Sequence, residues 1–182
     1  MAQGAEAAAG GGAEVAQLPD FQRAHKLGVV VRPMTGDDMG FLAQLYRSTR
    51  EDELTITGWS EEQKQSFIDM QFRAQHAHYQ KQYPAALWLI LERAGQPVGR
   101  LYLERWSSQH RIIDIALVPP ARGHGLGGAI LLDLHDEAAS AGKAVSIHVE
   151  KVNPAMSLYR RLGYETVENK GVYDLLVWTP PG

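Results

Sequence analysis

The chain has 182 residues, 45% hydrophobic and 21% charged, which is enough for one well-buried core and too few for two. It has no cysteine, which excludes disulfides and thiolate metal sites, and its formal net charge of −3 disfavours nucleic acid as a partner. No apolar run approaches the roughly 20 residues that a membrane helix needs. We therefore expect a single-domain cytoplasmic protein, monomer or homodimer, that binds no metal, membrane or nucleic acid.

The first residues, "MAQGAEAAAGGGAEVAQ", are rich in alanine and glycine, and they lack the basic start and leucine-rich middle of a secretory signal. A segment of such low complexity buries too little apolar surface to offset the entropy lost on folding. The sequence therefore predicts a disordered tail at 1–27 and one folded domain at 28–182.

The first half of the domain alternates strand and helix patterns. The segment "GVVVRPM" predicts a strand, and the apolar residues of "DDMGFLAQLYRST" recur at helical spacing. The run "SEEQ" at Ser60–Gln63 is a capping-box signature that opens a long polar helix to about Tyr83, where Pro84 stops it. Three closely spaced strands follow, "AALWLILER", "VGRLYLERW" and "RIIDIALV", with the short turns of an antiparallel meander.

The second half has a different order. A glycine-rich loop precedes a helix that ends at Gly142. The apolar face of that helix carries Leu126, Ile130, Leu134 and Ala138. The strand "AVSIHVE" comes next, then a short helix opened by Asn153 and Pro154 and closed by Gly163, then the strands "YETVE" and "VYDLLVW". This order predicts an α/β fold with a mixed, mostly antiparallel central sheet flanked by helices.

The glycine-rich loop lies in "LVPPARGHGLGGAI", residues 117–130. Glycines between a strand and a helix let backbone N–H groups surround a phosphate, and the helix N-terminus adds partial positive charge, so the loop is predicted to bind a diphosphate. One alternative is that Gly123, Gly125 and Gly128 form the G-x-G-x-x-G fingerprint of a Rossmann-like nucleotide-binding oxidoreductase, with Glu150 as the ribose acid. The antiparallel strands before the loop disfavour that reading. The other alternative is a purely structural turn.

Two segments carry a resemblance to a known family. "RGHGLG", Arg122–Gly127, resembles the Arg/Gln-x-x-Gly-x-Gly/Ala loop of the GNAT superfamily of N-acetyltransferases, and it follows a strand that ends in "IALVP", as in that family. "NPAMSLYRRLGY", Asn153–Tyr164, is similar to a later family segment in which an Asn begins a helix, a Tyr lies within it and Leu-Gly-Phe/Tyr ends it. The order of elements extends the resemblance from about Val29 to Trp178.

The resemblance implies a fold, a cofactor and a reaction. In the GNAT fold the fourth and fifth strands splay apart around the thioester, and acetyl-CoA gives its acetyl group directly to a primary amine, with CoA as product. The absence of cysteine agrees with direct transfer and no covalent enzyme intermediate. By motif position, the residues implied in cofactor binding are Ile115, Ala116, Leu117, Val118, Arg122, Gly123, His124, Gly125, Leu126, Gly127, Gly128, Asn153 and Tyr159.

The reaction needs a proton donor for the leaving thiolate. Tyr159 matches the family tyrosine that lies near the sulfur and often serves as the acid. The alternative for Tyr159 is a partly buried core tyrosine, since it shares a helix face with Met156 and Leu162.

The reaction also needs a base for the protonated amine, and many family members carry a glutamate early in the strand before the loop. Here that position holds Arg111, which cannot serve. Asp114, in the apolar strand "IIDIAL", is one candidate base, with a structural salt bridge as its alternative. His148 is the other: it falls where ribosomal-protein N-terminal acetyltransferases place a catalytic glutamate, and it predicts a rising limb of activity near pH 6 to 7, although a structural histidine is its alternative. Glu104 and Glu150 are weaker candidates, and a relayed water is also open.

The acceptor is predicted to be an amine of a small molecule or peptide. In the family, the region between the first two strands forms one wall of the acceptor site. Its notable residues here are Glu51, Asp52, Glu53, Glu61, Glu62, His76, His78, Tyr79 and Tyr83. The carboxylates would favour a cationic amine such as a polyamine or a peptide N-terminus, and a solvated face is their alternative. A non-catalytic acyl-CoA-binding sensor is the alternative to an enzyme.

Overall fold

A computed structural model describes residues 16–182, which form one seven-stranded sheet with helices on both faces. The helices are α1 (Gln22–Lys26), α2 (Met39–Ser48), α3 (Glu51–Thr55), α4 (Glu61–Gln82), α5 (Leu126–Ser140) and α6 (Met156–Arg161). The strands are β1 (Val29–Pro33), β2 (Leu87–Arg93), β3 (Gln96–Arg105), β4 (Gln109–Leu117), β5 (Ala144–Glu150), β6 (Glu165–Lys170) and β7 (Tyr173–Trp178). The predicted α/β fold with flanking helices is confirmed.

The strand order of the sheet is β1-β2-β3-β4-β5-β7-β6. β1 to β4 form the predicted antiparallel meander, and β5, β7 and β6 are also antiparallel neighbours. In the described part of the chain only β4 and β5 are parallel, because α5 carries the chain back across the sheet between them. The mostly antiparallel prediction is confirmed. The Rossmann-like alternative is wrong, since that fold requires a mostly parallel sheet.

A hydrophobic cluster covers each face of the sheet. The larger cluster joins the strands to α1, α5 and α6. It buries all four residues predicted for the apolar face of α5: Leu126, Ile130, Leu134 and Ala138. The smaller cluster lies under α2 and α4 and includes Leu42, Tyr46, Ile68, Phe72 and Ile90. Within residues 16–182, no helix combines the length and the apolar character needed to cross a membrane.

Helix α1 lies inside the span predicted as a disordered tail. Phe21 and Ala24 are buried against the larger cluster. Asp133 of α5 accepts hydrogen bonds from the backbone N–H groups of Arg23 and Ala24, at 3.1 and 3.0 Å. A carboxylate far along the chain thus satisfies the unpaired amides at the start of this helix, which local composition could not indicate. The tail prediction is wrong for residues 22–26, and residues 1–15 lie outside the described part of the chain.

Side chains fix the start of α4 and the turn before α6. The predicted capping box of α4 is confirmed, since Ser60 Oγ accepts from the Gln63 amide at 3.2 Å and Gln63 Oε1 accepts from the Ser60 amide at 2.9 Å. Helix α6 begins at Met156, two residues after Pro154, the first residue predicted to follow the Asn153 cap. There, Asn153 Oδ1 accepts from the Ala155 amide at 2.8 Å and forms a turn before the helix.

Candidate active site

β4 and β5 separate partway along their length. Their last paired residues are Ile112 and Ile147. Beyond this point β4 continues on β3 as far as Leu117, and β5 continues on β7 as far as Glu150. A bulge at Ile113 shifts the register between β3 and β4 where the separation begins. A slot therefore opens between the C-terminal ends of the two strands, as the family resemblance implies.

The glycine-rich loop leads from the end of β4 into α5. Gly123 and Gly125 have φ angles of +75° and +79°, a conformation that residues with side chains rarely adopt. Among the hydrogen bonds of residues 16–182, none is donated by a backbone amide of residues 123–128. The last of these amides belong to the first turn of α5, where a helix has no acceptor of its own for them. Free amides at a helix N-terminus form an anion-binding site.

Gly127 and Gly128 have no packing reason to lack a side chain. A Cβ at Gly128 would meet only Leu158 Cδ1, at 3.7 Å, and a Cβ at Gly127 would make equally ordinary contacts. Both residues lie in α5, where each glycine costs about 0.5–1 kcal/mol relative to alanine. The two glycines are therefore better explained by a ligand that approaches the backbone closely at the start of α5.

The end of β4 and the loop are held together by Arg122. Residues 115–117 pair with β3 on one edge and face the slot on the other. Arg122 Nε donates to the carbonyl of Leu117 at 2.9 Å, and its Nη2 donates to Ser48 Oγ at 3.3 Å, at the end of α2. The rest of this guanidinium and the side chain of His124 are exposed beside the free amides. The predicted phosphate-binding residues thus lie together at one end of the slot.

Tyr159 on α6 is 4% exposed and packs edge-on against Tyr164, with the ring centroids 5.3 Å apart. Burial, and to a lesser extent the charge of Asp114, raises the pKa of Tyr159 above that of a free tyrosine. The phenol therefore carries its proton at neutral pH and can donate it. Asn153, in contrast, is exposed, and its Oδ1 is engaged in the turn before α6, so that its side-chain N–H groups are what it can offer a ligand.

Asp114 lies just beyond the point where the strands separate, on the sheet face covered by α4. Its carboxylate is paired with Arg100 of β3, which is 2% exposed and also donates to Gln75 Oε1 at 3.1 Å. Burial, and then the charge of Asp114, raises the pKa values of both Tyr79 on α4 and Tyr159 on α6. Asp114 thus forms the salt bridge that was its alternative, and its charge acts on a tyrosine of α4 and on a tyrosine of α6.

His148 follows Ile147 on β5, and its ring is bound by Arg111. Arg111 Nη1 lies 3.1 Å from His148 Nδ1. Because a guanidinium can only donate, Nδ1 accepts this hydrogen bond and the imidazole proton lies on Nε2. Burial, and then the charge of Arg111, lowers the pKa of His148 to about 4. The ring is therefore neutral near pH 7 with its lone pair engaged, which argues against His148 as the base and against a limb near pH 6 to 7.

Glu104 and Glu150 are committed to other contacts. Glu104 is buried and accepts from Trp106 Nε1 at 2.8 Å and from the Ala85 amide at 3.2 Å. Glu150 pairs with Arg50 at 3.3 Å, at the open end of β5. Asp114 is also paired, with Arg100, but of the three carboxylates it lies closest along the chain to the point where β4 and β5 separate.

The carboxylates predicted to attract a cationic acceptor are all exposed. Arg47 pairs with Glu51 and Glu61 at 3.2 and 2.7 Å, and Arg50 pairs with Glu53 at 3.1 Å. Exposed pairs of this kind are screened by solvent and contribute little attraction to a ligand. The arrangement favours the alternative, a solvated face.

Arg100 is a site residue that the sequence reasoning missed. It lies in β3 on the same face as Tyr102 and Glu104, because alternate residues of a strand point to one side. An arginine inside the apolar run "VGRLYLERW" is a usable signal, since a buried cation requires a partner. The identity of that partner, Asp114, depends on the register between β3 and β4.

A sequence model described as the acetyltransferase (GNAT) family matches residues 44–164. A mycothiol acetyltransferase from Saccharomonospora viridis is 30% identical over 134 residues, 68% of this chain; the match spans 39% of that protein's length.

Two solved structures have similar folds. The PaiA N-acetyltransferase of Thermoplasma acidophilum, in complex with coenzyme A, has a TM-score of 0.62 and 18% identity, over 83% of this chain and 98% of that one. A GNAT family acetyltransferase of Elizabethkingia anophelis with acetyl-CoA bound has a TM-score of 0.53 and 16% identity, over 84% of this chain and 98% of that one. At these identities the likeness concerns the fold alone.

Proposed function

Because the chain belongs to the acetyltransferase (GNAT) family, we propose that it transfers an acetyl group from acetyl-CoA to a primary amine of a small molecule or peptide. The observation that carries this proposal is the row of free backbone amides at residues 123–128, next to the slot between β4 and β5. A diphosphate joined to a long arm suits that arrangement, because the amides bind its charge while the arm enters the slot.

The residues present fit acetyl-CoA. The amides and the N-terminus of α5 favour a pyrophosphate, and Gly127 and Gly128 leave room for it to approach. The free edge of β4 at residues 115–117 offers strand-like hydrogen bonds to the amide groups of the pantetheine arm. When bound, acetyl-CoA supplies an acetyl group activated as a thioester.

We assign the proton transfers to Asp114 and Tyr159. An acceptor ammonium must lose one proton before its nitrogen attacks, and Asp114 takes that proton and passes it to water. As the N–C bond forms and the C–S bond breaks, Tyr159 gives its phenol proton to the leaving sulfur and regains one from the acetylated nitrogen. The products are an N-acetyl amine, CoA and one released proton, so that atoms and charges balance.

The test is thiol release from acetyl-CoA with a panel of primary amines, accompanied by calorimetry of CoA binding. Thiol release that depends on an amine, with mass-spectrometric detection of the N-acetyl product, supports the enzyme. Tight CoA binding without turnover on any amine of the panel supports the sensor alternative. Absence of CoA binding would overturn both.

A further inference from the structure

Arg111 on β4 is a buried arginine without a carboxylate partner among residues 16–182. It is 7% exposed, and its assigned hydrogen bonds go to neutral groups, from Nε to Ser146 Oγ at 2.8 Å and from Nη1 to His148 Nδ1 at 3.1 Å. The other buried or half-buried arginines of this part of the chain each pair with a carboxylate at 3.1 Å or less. These are Arg32, Arg47, Arg50, Arg100 and Arg105.

The carboxylate opposite Arg111 across the sheet is that of Glu104, which is paired with it in register. Trp106 separates the two charges: its indole N–H donates to Glu104 Oε2 at 2.8 Å, and its ring faces the Arg111 guanidinium carbon at 4.7 Å. Glu104 therefore gives its hydrogen-bonding capacity to Trp106 and to a backbone amide rather than to Arg111. Burial without a counter-charge lowers the pKa of Arg111 and is costly for the folded protein.

Arg111 faces the same side of the sheet as Asp114. Their partners on β3, Glu104 and Tyr102, are two residues apart and share a face, so the two side chains lie on the face covered by α4. Because of the bulge between them, the Cα atoms of Arg111 and Asp114 are separated by about two strand rises, or about 7 Å along the strand. His148, which contacts Arg111, is half-buried, so the guanidinium lies one side-chain layer below the surface.

We infer that Arg111 binds a carboxylate of the acceptor, and that the acceptor is a small amino-carboxylate rather than a polyamine. The inference rests on the proposed function and names its substrate class. A carboxylate supplies the missing counter-charge, which the neutral neighbours Ser146, His148 and Tyr83 do not. It would accept from guanidinium N–H groups other than those on Ser146 and His148, beside the Tyr83 hydroxyl. The short span to Asp114 then suits an acceptor whose amine is a few bonds from its carboxylate.

The experiment compares free amino acids with their carboxamides: glycine with glycinamide, β-alanine with β-alaninamide, and phenylalanine with phenylalaninamide. The amine of each carboxamide has a lower pKa than the amine of the matching free amino acid. Loss of the amine proton alone would therefore make the carboxamide the better substrate. We expect kcat/KM to favour at least one acid over its amide by about 10- to 100-fold, the range of a charged hydrogen-bonded pair. Equal or better turnover of every amide would overturn the inference and leave the proposed function intact.

Variants of Arg111 test whether that preference comes from this side chain. Arg111→Met should remove the preference mainly by raising KM for the acid, with the Kd for CoA unchanged. Arg111→Lys should restore part of the preference, because lysine keeps the positive charge but lacks the paired N–H groups of the guanidinium. Arg73→Gln, which alters an exposed arginine on α4, should leave the preference unchanged. Persistence of the preference in Arg111→Met overturns the inference. Should the Met variant not fold, a preference in Arg111→Lys as large as that of the parent does so.

Failure of the proposed function has a different signature. If no amine is turned over although CoA binds, calorimetry of the CoA complex with phenylalanine and phenylalaninamide still measures the carboxylate preference. Binding of the acid alone, lost in Arg111→Met, would support the site without the reaction. No binding of either compound would overturn the inference independently of turnover.

Discussion

Ile112 on β4 and Ile147 on β5 are the last paired residues of the sheet's parallel pair. Immediately beyond them, the chain places Asp114 on one strand and His148 on the other. The point of separation therefore decides which side chains border the slot and which backbone groups are free to bind a ligand. The residues before it, including Arg111, are still held in the sheet by Ser146 and the ladder of β4 with β5.

The first prediction concerns Gly125, at the N-cap of α5. Gly125→Asp should abolish CoA binding, because the new carboxylate repels the pyrophosphate at the free amides. The fold should survive, since nothing lies within 4 Å of a Cβ there and aspartate tolerates positive φ. Calorimetry with CoA is the measurement. Gly95→Asp is the matched control: Gly95 has a φ of +74° and open space around it, but it lies in the turn between β2 and β3. Unchanged affinity in Gly125→Asp would make the loop a structural turn.

The second prediction separates stability from binding at Gly128. Gly128→Ala should raise the free energy of unfolding by about 0.5–1 kcal/mol, because alanine is the better helix former and its Cβ fits. The same methyl group should weaken CoA binding, since the proposed function brings the pyrophosphate against this stretch of backbone. A Cβ at Gly40 in α2 meets open space, so Gly40→Ala should give the stability gain without the loss of affinity. A Gly128→Ala variant that is stabilised and binds CoA normally would contradict the proposed role of the bare backbone.

Features set by nearby residues could be predicted from the sequence. The loop at 122–128, the capping box at Ser60 and the apolar face of α5 each depend on short spacings that a single segment contains. The mixed sheet followed from element order, because one strand-loop-helix-strand unit after a meander requires one parallel pair.

Features set by contacts between distant segments could not be predicted. Asp114 was found as a candidate, but its pairing with Arg100 depends on a bulge that shifts the register by one residue. The tautomer of His148 depends on Arg111, 37 residues away along the chain. Helix α1 depends on Asp133, more than 100 residues later. In each case the partner comes from a different element, so no local pattern encodes it.

The third prediction concerns Tyr159 as the acid. Tyr159→Phe should lower kcat by about 100-fold with little change in the KM for acetyl-CoA, because a general acid acts on the transition state. Tyr164→Phe is the matched control, since the Tyr164 ring packs against Tyr159 and its buried hydroxyl has no partner within residues 16–182. Steady-state kinetics of the two variants give the comparison. Equal activity in both would reduce Tyr159 to a packing residue.

The fourth prediction distinguishes Asp114 from His148 as the base. Asp114→Asn should lower kcat by about 100-fold or more, the usual contribution of a general base. His148→Gln should leave the rising limb of the pH profile of kcat where it is. The pKa of His148 is about 4, so its ring is already neutral over the pH range of that limb. The pH profiles of both variants with one amine are the measurement. Loss of a limb near pH 6 to 7 in His148→Gln would restore the histidine as base.

The fifth prediction concerns stability in mild acid. His135 on α5 is 4% exposed and stacks on Trp178 with the ring centroids 3.9 Å apart, and burial lowers its pKa to about 4. The unfolded chain, with an ordinary histidine pKa, binds the proton in the window between about 6.5 and 4, so the free energy of unfolding falls as the pH falls through that window and is level above it. From pH 7 to 5, one such histidine lowers the free energy of unfolding by about 2 kcal/mol.

His135→Phe keeps the stack on Trp178 and removes the group that takes up the proton. Denaturant unfolding at pH 7 and pH 5 should therefore show a smaller fall in the free energy of unfolding than in the parent. His78→Gln, at an exposed position on α4, should behave like the parent. Identical pH dependence in His135→Phe and the parent would mean that this histidine is not the group whose protonation destabilises the fold.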